Sequence, residues 1–360
     1  MMQISLCMIV LNEEKNLPRC LDSIKDAVDE IIIVDTGSTD ATKAVAGKYT
    51  SKIYDFEWCD DFSAARNFSF SHATKDFVMW LDADDIMLKE DVTQLIALKN
   101  QLTDNVDAVM LKYNNGFDEN GKVVFSYYRE RLANRSRGFL WVEPVHEYLA
   151  VSGNIIRRDI AVTHARAQGE SNSSRNLKIY ESLLKNGDKL SPRGIYYYAR
   201  ELKDSRNFNL AAVYFKKFLR EGLGWVEDNI SACLDLYRCL SALDSEVEAL
   251  QSLYKSFIYD LPRAETCCLL GYHYKKEKKY DFAIYWFETA LRCDPKRVKG
   301  FFNTNWHGYI PNIELAFLYY TVGDTKQAIA YNELAGEHKP CDPSYEHNRR
   351  FFASLEVKPQ

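Results

Sequence analysis

Phe77-Val-Met-Trp-Leu-Asp-Ala-Asp-Asp85 is an apolar run that stops in three carboxylates, Asp82, Asp84 and Asp85. Five consecutive apolar residues read as a strand buried on both faces, the habit of a sheet covered by helices. Ligands of an open α/β sheet bind outside the carboxyl ends of its strands, so chemistry is expected at this acidic end. Two aspartates spaced i, i+2 on a turn can aim hard oxygen ligands at one cation, and without a cation their repulsion is costly. Aspartates after a strand also serve as plain turn and cap residues, so the surrounding pattern has to decide.

Outward from this stretch, strands and helices alternate. Residues 4–11 form an apolar run ending in Asn12-Glu13-Glu14, a helix begins near Leu17, and Ile31-Ile-Ile-Val34 is a second buried strand closed by Asp35. A helix follows Thr36-Gly37-Ser38-Thr39-Asp40, with Ser38 or Thr39 placed to cap its first turn. Residues 52–56 predict a short strand and 63–73 a helix, which leads into the opening stretch. This order implies a parallel sheet with right-handed crossovers. Residues 107–113 predict a further strand, Asp118-Glu-Asn-Gly121 a hairpin turn and 160–164 a last strand. No glycine-rich dinucleotide or P-loop signature is present. An Asp closing a second strand can accept hydrogen bonds from a ribose or base edge, and carboxylates after a later strand can hold a divalent cation against phosphates. Together they suggest a nucleotide-diphosphate site built on metal.

At 360 residues the chain suggests two domains. Its net charge of −5 gives no global attraction to nucleic acid or anionic lipid. Nine scattered cysteines without C-x-x-C spacing read as reduced thiols in a cytoplasmic protein. The run at 4–11 is too short to span a bilayer, and no transmembrane segment is expected.

From about residue 176 the strands stop and amphipathic helical patterns rich in Tyr, Phe, Leu and Ala take over. Ala211, Ala249, Ala283 and Ala328, spaced 38, 34 and 45 residues apart, align as positions in the second helices of helix pairs, the last gap holding an insertion around 300–308. With Pro262, Pro295 and Pro340 this is the pattern of tetratricopeptide repeats. Their groove can hold a peptide or protein acceptor, form a homodimer interface, or simply brace the first domain. Phe301, Phe302 and Trp306 in the insertion are candidates for partner contact, with core packing as the ordinary use.

The segments Ile9-Val-Leu-Asn-Glu-Glu14, Ile33-Val-Asp-Thr-Gly-Ser-Thr-Asp40, Asp61-Phe-Ser-Ala-Ala-Arg-Asn67 and Trp80-Leu-Asp-Ala-Asp-Asp85 resemble, in order, the signatures of family 2 glycosyltransferases. The resemblance implies a Rossmann-like GT-A domain at 1–170, followed by the tetratricopeptide-like domain at 171–360. It implies that Leu11, Asn12 and Glu14 line the nucleotide, that Asp35 reads the base, and that Arg66 lies by the diphosphate unless it is a structural ion pair. Asp82 would face the donor ribose and sugar and border the metal, Asp84 would bind Mn2+ or Mg2+, and Asp85 would cap the next helix. Leu140-Trp-Val-Glu-Pro-Val-His-Glu147 is similar to a Trp-x-Gly-x-Val-His-Glu segment in a subset that includes sublancin-type peptide S-glycosyltransferases, with Glu143 in place of the Gly. By that likeness Glu147 is the expected base, with His146 as its positioning partner or substitute; a His-Glu pair that only ties a loop to the core is the plainer alternative. His164 would complete the metal shell, although Arg166 replaces the usual glycine of His-x-Gly, and Arg175 would reach the phosphates. The basic run 129–138 reads mainly as a solvated hairpin edge.

The expectation is therefore a metal-dependent, inverting transfer of a sugar from a UDP-sugar to an acceptor, with a Cys, Ser or Thr side chain of a peptide or protein as one candidate. Transfer to a cell-envelope glycan or lipid, and a non-catalytic nucleotide-binding scaffold, are the alternatives.

Overall fold

Six of the seven residues of the first strand, β1 (Ile4–Val10), all but Ile9, lie at or near zero exposure, because helices cover both faces of the sheet it belongs to. The computed structural model describes residues 1–117, 121, 123–165, 173–300 and 302–356. After β1 come α1 (Leu17–Ile24), β2 (Glu30–Asp35), α2 (Thr42–Ala46), β3 (Ile53–Asp55), α3 (Phe62–Ser71) and β4 (Phe77–Trp80). Then follow β5 (Asp85–Ile86), α4 (Lys89–Lys99), β6 (Ala108–Phe117), β7 (Val123–Asn134), β8 (Trp141–Val142), β9 (Tyr148–Leu149), β10 (Ile155–His164) and α5 (Ser173–Lys185). The sheet order is β3-β2-β1-β4-β7-β6-β10-β5, with β8 and β9 paired separately.

Strands β3, β2, β1 and β4 are parallel as expected, but β7 enters antiparallel to both β4 and β6, so the sheet is mixed. The antiparallel insertion follows from the β6–β7 hairpin; its expected turn at 118–121 lies, apart from Gly121, outside the described residues. Ile4, Leu6 and Met8 pack with Leu17, Leu21 and Ile24 on one face, while Cys7, Ile32 and Val78 meet Phe70 of α3 on the other. Each such fully buried aliphatic side chain contributes about 1.5–3 kcal/mol.

Glu30 opens β2 beneath Thr74, whose N–H and hydroxyl donate to its two oxygens at 2.9 and 2.8 Å; Lys52 and the Ser5 hydroxyl also bond to it. Burial pushes the carboxyl up, but these partners, Lys52 first, more than offset it and pull it down to about 2. A depressed folded value stabilises the protein above the unfolded carboxyl range and is lost as pH falls through it. Glu30→Gln is therefore expected to be about 2 kcal/mol less stable near neutrality. Denaturant melts of the variant and the unsubstituted chain should converge between about pH 4 and pH 2.

The chain divides into two compact units, Met1–Lys189 and Leu190–Gln360, so α5 goes with the sheet. The second unit is helical: α6 (Pro192–Asp204), α7 (Phe208–Glu221), α8 (Val226–Ala242), α9 (Glu246–Lys255), α10 (Ala264–Lys276), α11 (Tyr280–Arg292), α12 (Tyr309–Thr321), α13 (Thr325–His338) and α14 (Pro343–Glu356). Ala211, Ala249, Ala283 and Ala328 fall in α7, α9, α11 and α13 and are fully buried. The turns inside the four pairs are alike. Arg206, Asp244, Lys278 and Gly323 each take positive φ, and the next N–H bonds back to Leu202, Leu240, Tyr274 and Tyr319 at 2.8–2.9 Å. This is the Schellman ending of a helix, repeated in the same register as the alanines. Close packing within a pair shows at Gly271, where a Cβ would meet the Phe287 ring at 2.6 Å. Trp306 packs on the cluster of Cys267, Cys268 and Phe287, so core packing accounts for it; Phe301 lies outside the described residues.

Candidate active site

The register of the parallel strands sets Val10 beside Asp35 and Cys7 beside Trp80, so β1, β2 and β4 end on one edge of the sheet. Three groups of the expected residues collect there.

The first is built by β1 and β2. Asn12 has φ 56; its N–H donates to Ser38 Oγ at 2.9 Å, and its Oδ1 accepts from the Thr39 N–H at 2.8 Å. Ser38 and Thr39 are thus used to join the two loops, and neither caps α2, where Asp40 accepts from Thr42 N at 2.9 Å instead. Glu14 receives the Ala41 N–H at 3.0 Å, which ties it to the start of α2. Leu11 is 42% exposed on the rim. Asp35 is buried; its Oδ1 accepts the N–H groups of Gly37 and Ser38, while Oδ2 is buried without a hydrogen-bond partner among the described residues. A buried acceptor left open at a crevice suits a donor supplied by a ligand.

The second group surrounds the acidic turn. Asp85 does not cap α4, whose N-cap position is Leu88. It is fully buried, paired through Oδ2 with Arg131 Nη1 at 3.1 Å and accepting the Tyr113 hydroxyl on Oδ1 at 2.9 Å. The solvated edge expected for residues 129–138 therefore does not hold at Arg131, which has no exposed surface. Arg131 and Tyr113 were not legible as site residues; the one hint is that Arg131 continues into the apolar Leu132-Ala133, where a charge has to be paired. His164, at the end of β10, places Nδ1 2.9 Å from Tyr113 Oη, 3.7 Å from Asp84 and 3.6 Å from Asp85.

Ligand atoms of Asp84, Asp85 and His164 lie within 4.8 Å of one another. Carboxylate oxygens with one imidazole nitrogen are a fitting donor set for Mn2+ and a tolerable one for Mg2+. Since Asp85 is committed to Arg131 and Tyr113, Asp84 and His164 are the members that would face such an ion. Loss of hydration and then repulsion from Asp82 raise the Asp84 pKa, and Asp85 followed by Asp84 raises that of His164 against its desolvation. Negative charge accumulated here is compensated best by a divalent cation.

The third group centres on Arg66 of α3, whose helix is capped by Asp61 accepting the Ala64 N–H. Its Nε donates to Glu147 Oε1 at 2.7 Å and its Nη2 to Asp82 Oδ1 at 2.8 Å. The guanidinium packs on the edge-to-face pair of Trp80 and Trp141, 4.8 and 4.7 Å from their ring centres. Crowding costs the Asp82 carboxyl its hydration, but Arg66 and Arg131 more than offset this and hold it below the ordinary range. Glu147 and His146 stand in the loop between β8 and β9, held by Phe62 N–H to Pro144 O at 2.9 Å and by the Tyr180 hydroxyl to Val145 O at 3.3 Å. Glu143 has φ 77 and His146 φ 55, so Glu143 occupies a left-handed position that a glycine would take without strain. Arg175 of α5 lies over the Phe62 ring at 4.6 Å, beside this loop.

Residues 5–163 match the model of Glycosyl transferase family 2. A TPR repeat-containing protein of Synechococcus elongatus is 42% identical over 147 residues, 41% of this chain and 35% of that protein. The SPbeta prophage-derived glycosyltransferase SunS of Bacillus subtilis is 28% identical over 229 residues, 58% of this chain and 51% of that protein. The chain thus spans about a third to a half of the length of these relatives. A solved glucosyl-3-phosphoglycerate synthase of Mycobacterium tuberculosis, in complex with Mn2+ and UDP-glucose, aligns over 53% of this chain and 81% of its own at 17% identity, with a TM-score of 0.35.

Proposed function

We propose that this chain, whose residues 5–163 are a family 2 glycosyltransferase domain followed by tetratricopeptide-like helix pairs, transfers a sugar from a UDP-sugar to a nucleophilic acceptor with inversion. The observation that carries the reading is the meeting, at the carboxyl edge of β1, β2 and β4, of the Asp84–His164 cluster with the Arg66-bridged pair Asp82 and Glu147.

In this reading the unpartnered Asp35 Oδ2 accepts from the uracil, and Leu11 and Asn12 border the nucleoside. Glu14 and Ser38 keep those loops in place. Asp84 and His164 hold Mn2+ or Mg2+, which when bound supplies Lewis-acid stabilisation to the leaving diphosphate. Asp82, turned by Arg66, faces the donor ribose and sugar. Glu147 takes the acceptor proton as attack proceeds from the face opposite the diphosphate, with His146 beside it, and Arg66 holds Glu147 through one oxygen so that the other is aimed. Arg66 acts by orientation, because burial against two indoles and pairing with two carboxylates leave it little reach toward phosphate. Arg175 borders the acceptor side of the same loop.

The acceptor we favour is a Cys, Ser or Thr side chain of a peptide or protein, gathered by the helical repeats; the same helices can instead pair two copies of the chain. No described helix is long and apolar enough to cross a membrane, and the scattered thiols suit a cytoplasmic setting. UDP release from a panel of UDP-sugars in the presence of Mn2+ tests the reading. Turnover of at least one donor is expected; nucleotide binding with no turnover of any donor would identify a scaffold instead.

A further inference from the structure

Tyr113, Arg131, Trp80, Arg66 and Trp141 form one contiguous cluster of rings and guanidinium groups. Arg131 Cζ lies 4.5 Å from the Tyr113 ring centre and 3.8 Å from that of Trp80; Arg66 Cζ packs on the edge-to-face pair of Trp80 and Trp141, 4.8 and 4.7 Å from their ring centres. The Arg66 end grips Glu147 and Asp82, and at the other end the single Tyr113 hydroxyl stands 2.9 Å from both Asp85 Oδ1 and His164 Nδ1. A phenol has one proton to donate. Of the two neighbours of the Tyr113 hydroxyl, Asp85, ion-paired with the buried Arg131, is the stronger acceptor and receives its hydrogen.

The proton of Tyr113 therefore goes to Asp85, and the phenolic oxygen turns its lone pairs to His164. Two acceptors cannot satisfy each other, so Nδ1 of His164 must carry a hydrogen. The carboxylates of Asp84 and Asp85, at 3.7 and 3.6 Å, are too far from Nδ1 to take that hydrogen in place of Tyr113. We infer that Tyr113, oriented by Asp85 and Arg131, is a positioning residue that locks His164 as its Nδ1–H tautomer and leaves Nε2 as the nitrogen able to ligate a metal. A neutral imidazole ligates through its unprotonated nitrogen, and the hydrogen bond made by the other nitrogen decides which one that is. The use of Nε2 rests on the proposed metal-dependent transfer; the tautomer is a property of the chain alone.

The two parts are tested separately. Long-range proton–nitrogen NMR of the full chain, without metal or donor and at an alkaline pH where the ring is neutral, reads the tautomer directly, with the His164→Gln spectrum giving the assignment. A pyrrole-like Nδ1 and a pyridine-like Nε2 are expected; a pyridine-like Nδ1 overturns the inference whatever the enzyme does. Tyr113→Phe keeps the ring against Arg131 and removes only the hydroxyl. Its His164 signals should shift toward the other tautomer, and calorimetric affinity for Mn2+ without donor should fall about 10- to 100-fold. An unchanged tautomer and unchanged Mn2+ affinity in that variant would show that the hydroxyl positions nothing. An Nδ1–H tautomer in a chain that turns over no UDP-sugar would leave the inference standing and remove the transferase reading.

Discussion

Asp84→Ala is expected to lower UDP-sugar turnover roughly a thousandfold, about 4 kcal/mol of transition-state stabilisation, while leaving the fold at least as stable as before. The activity loss follows from removing the carboxylate that, with His164, offers an ion its ligand atoms. The retained stability follows from electrostatics: in the protein alone Asp84 is crowded by Asp82 and Asp85, and this repulsion together with lost hydration raises its pKa. Deleting it relieves like charge and breaks no hydrogen bond in a helix or strand. Asp85→Ala is the informative contrast. That carboxylate has no exposed surface and is the charge partner of Arg131, which is equally buried. Removing one member of such a pair leaves an uncompensated buried charge, a loss of about 3–5 kcal/mol. Thermal melts run beside UDP-release assays separate the two aspartates: a normal melting temperature with lost turnover for Asp84→Ala, a collapsed melting temperature for Asp85→Ala. Wild-type turnover by Asp84→Ala would end the metal reading of this turn.

The contrast also marks where local sequence stopped being informative. The strand at Phe77–Trp80 and the alternation around it were legible because five apolar residues in a row have few other uses, and the parallel part of the sheet follows from that alternation. Buried alanines at a regular spacing were legible for the same reason, since close helix crossings demand small side chains; the shared turns at Arg206, Asp244, Lys278 and Gly323 add what spacing alone did not reveal. Asp85 was misread as a cap because its partner, Arg131, lies on an antiparallel strand whose insertion beside β4 no local pattern announces. Arg66 was readable as an arginine in a motif but not as the bridge between Asp82 and Glu147, because Glu147 reaches it through the β8–β9 loop, 81 positions along the chain. At Glu143 the departure from glycine was visible, and φ 77 gives its physical content: the loop keeps a left-handed turn despite the side chain. Ser38 and Thr39 read as a helix cap on local grounds, whereas Asn12, from the neighbouring strand end, claims both.

Glu147→Gln is expected to reduce sugar transfer about a hundred- to ten-thousandfold while UDP affinity changes less than about twofold. The substitution is nearly isosteric, and the Gln amide oxygen can still accept the Arg66 Nε–H that Glu147 Oε1 now receives at 2.7 Å. What disappears is the ability to take a proton. The proposed nucleotide corner is held by bonds of Asn12 and Asp35 to Gly37, Ser38 and Thr39, at the ends of β1 and β2, so donor binding has no reason to follow. Arg66 does lose a formal charge partner, but Asp82 remains at 2.8 Å and the two indoles still pack on it, so the melting temperature should fall by only a few degrees. His146→Gln serves as the rival test, since both residues sit on the same short loop and either could face an acceptor. Loss of transfer in Glu147→Gln with near-normal His146→Gln assigns the base to Glu147; the reverse pattern moves it to His146. A third pattern, in which both variants transfer normally and only stability falls, would mean that the Arg66–Glu147 bridge merely ties the loop to the sheet. Separating transfer from donor hydrolysis sharpens the reading. If Glu147 acts on the acceptor, its loss should depress transfer to a peptide thiol or hydroxyl, while binding of UDP and of Mn2+, which the proposal assigns to Asp35, Asp84 and His164, stays intact.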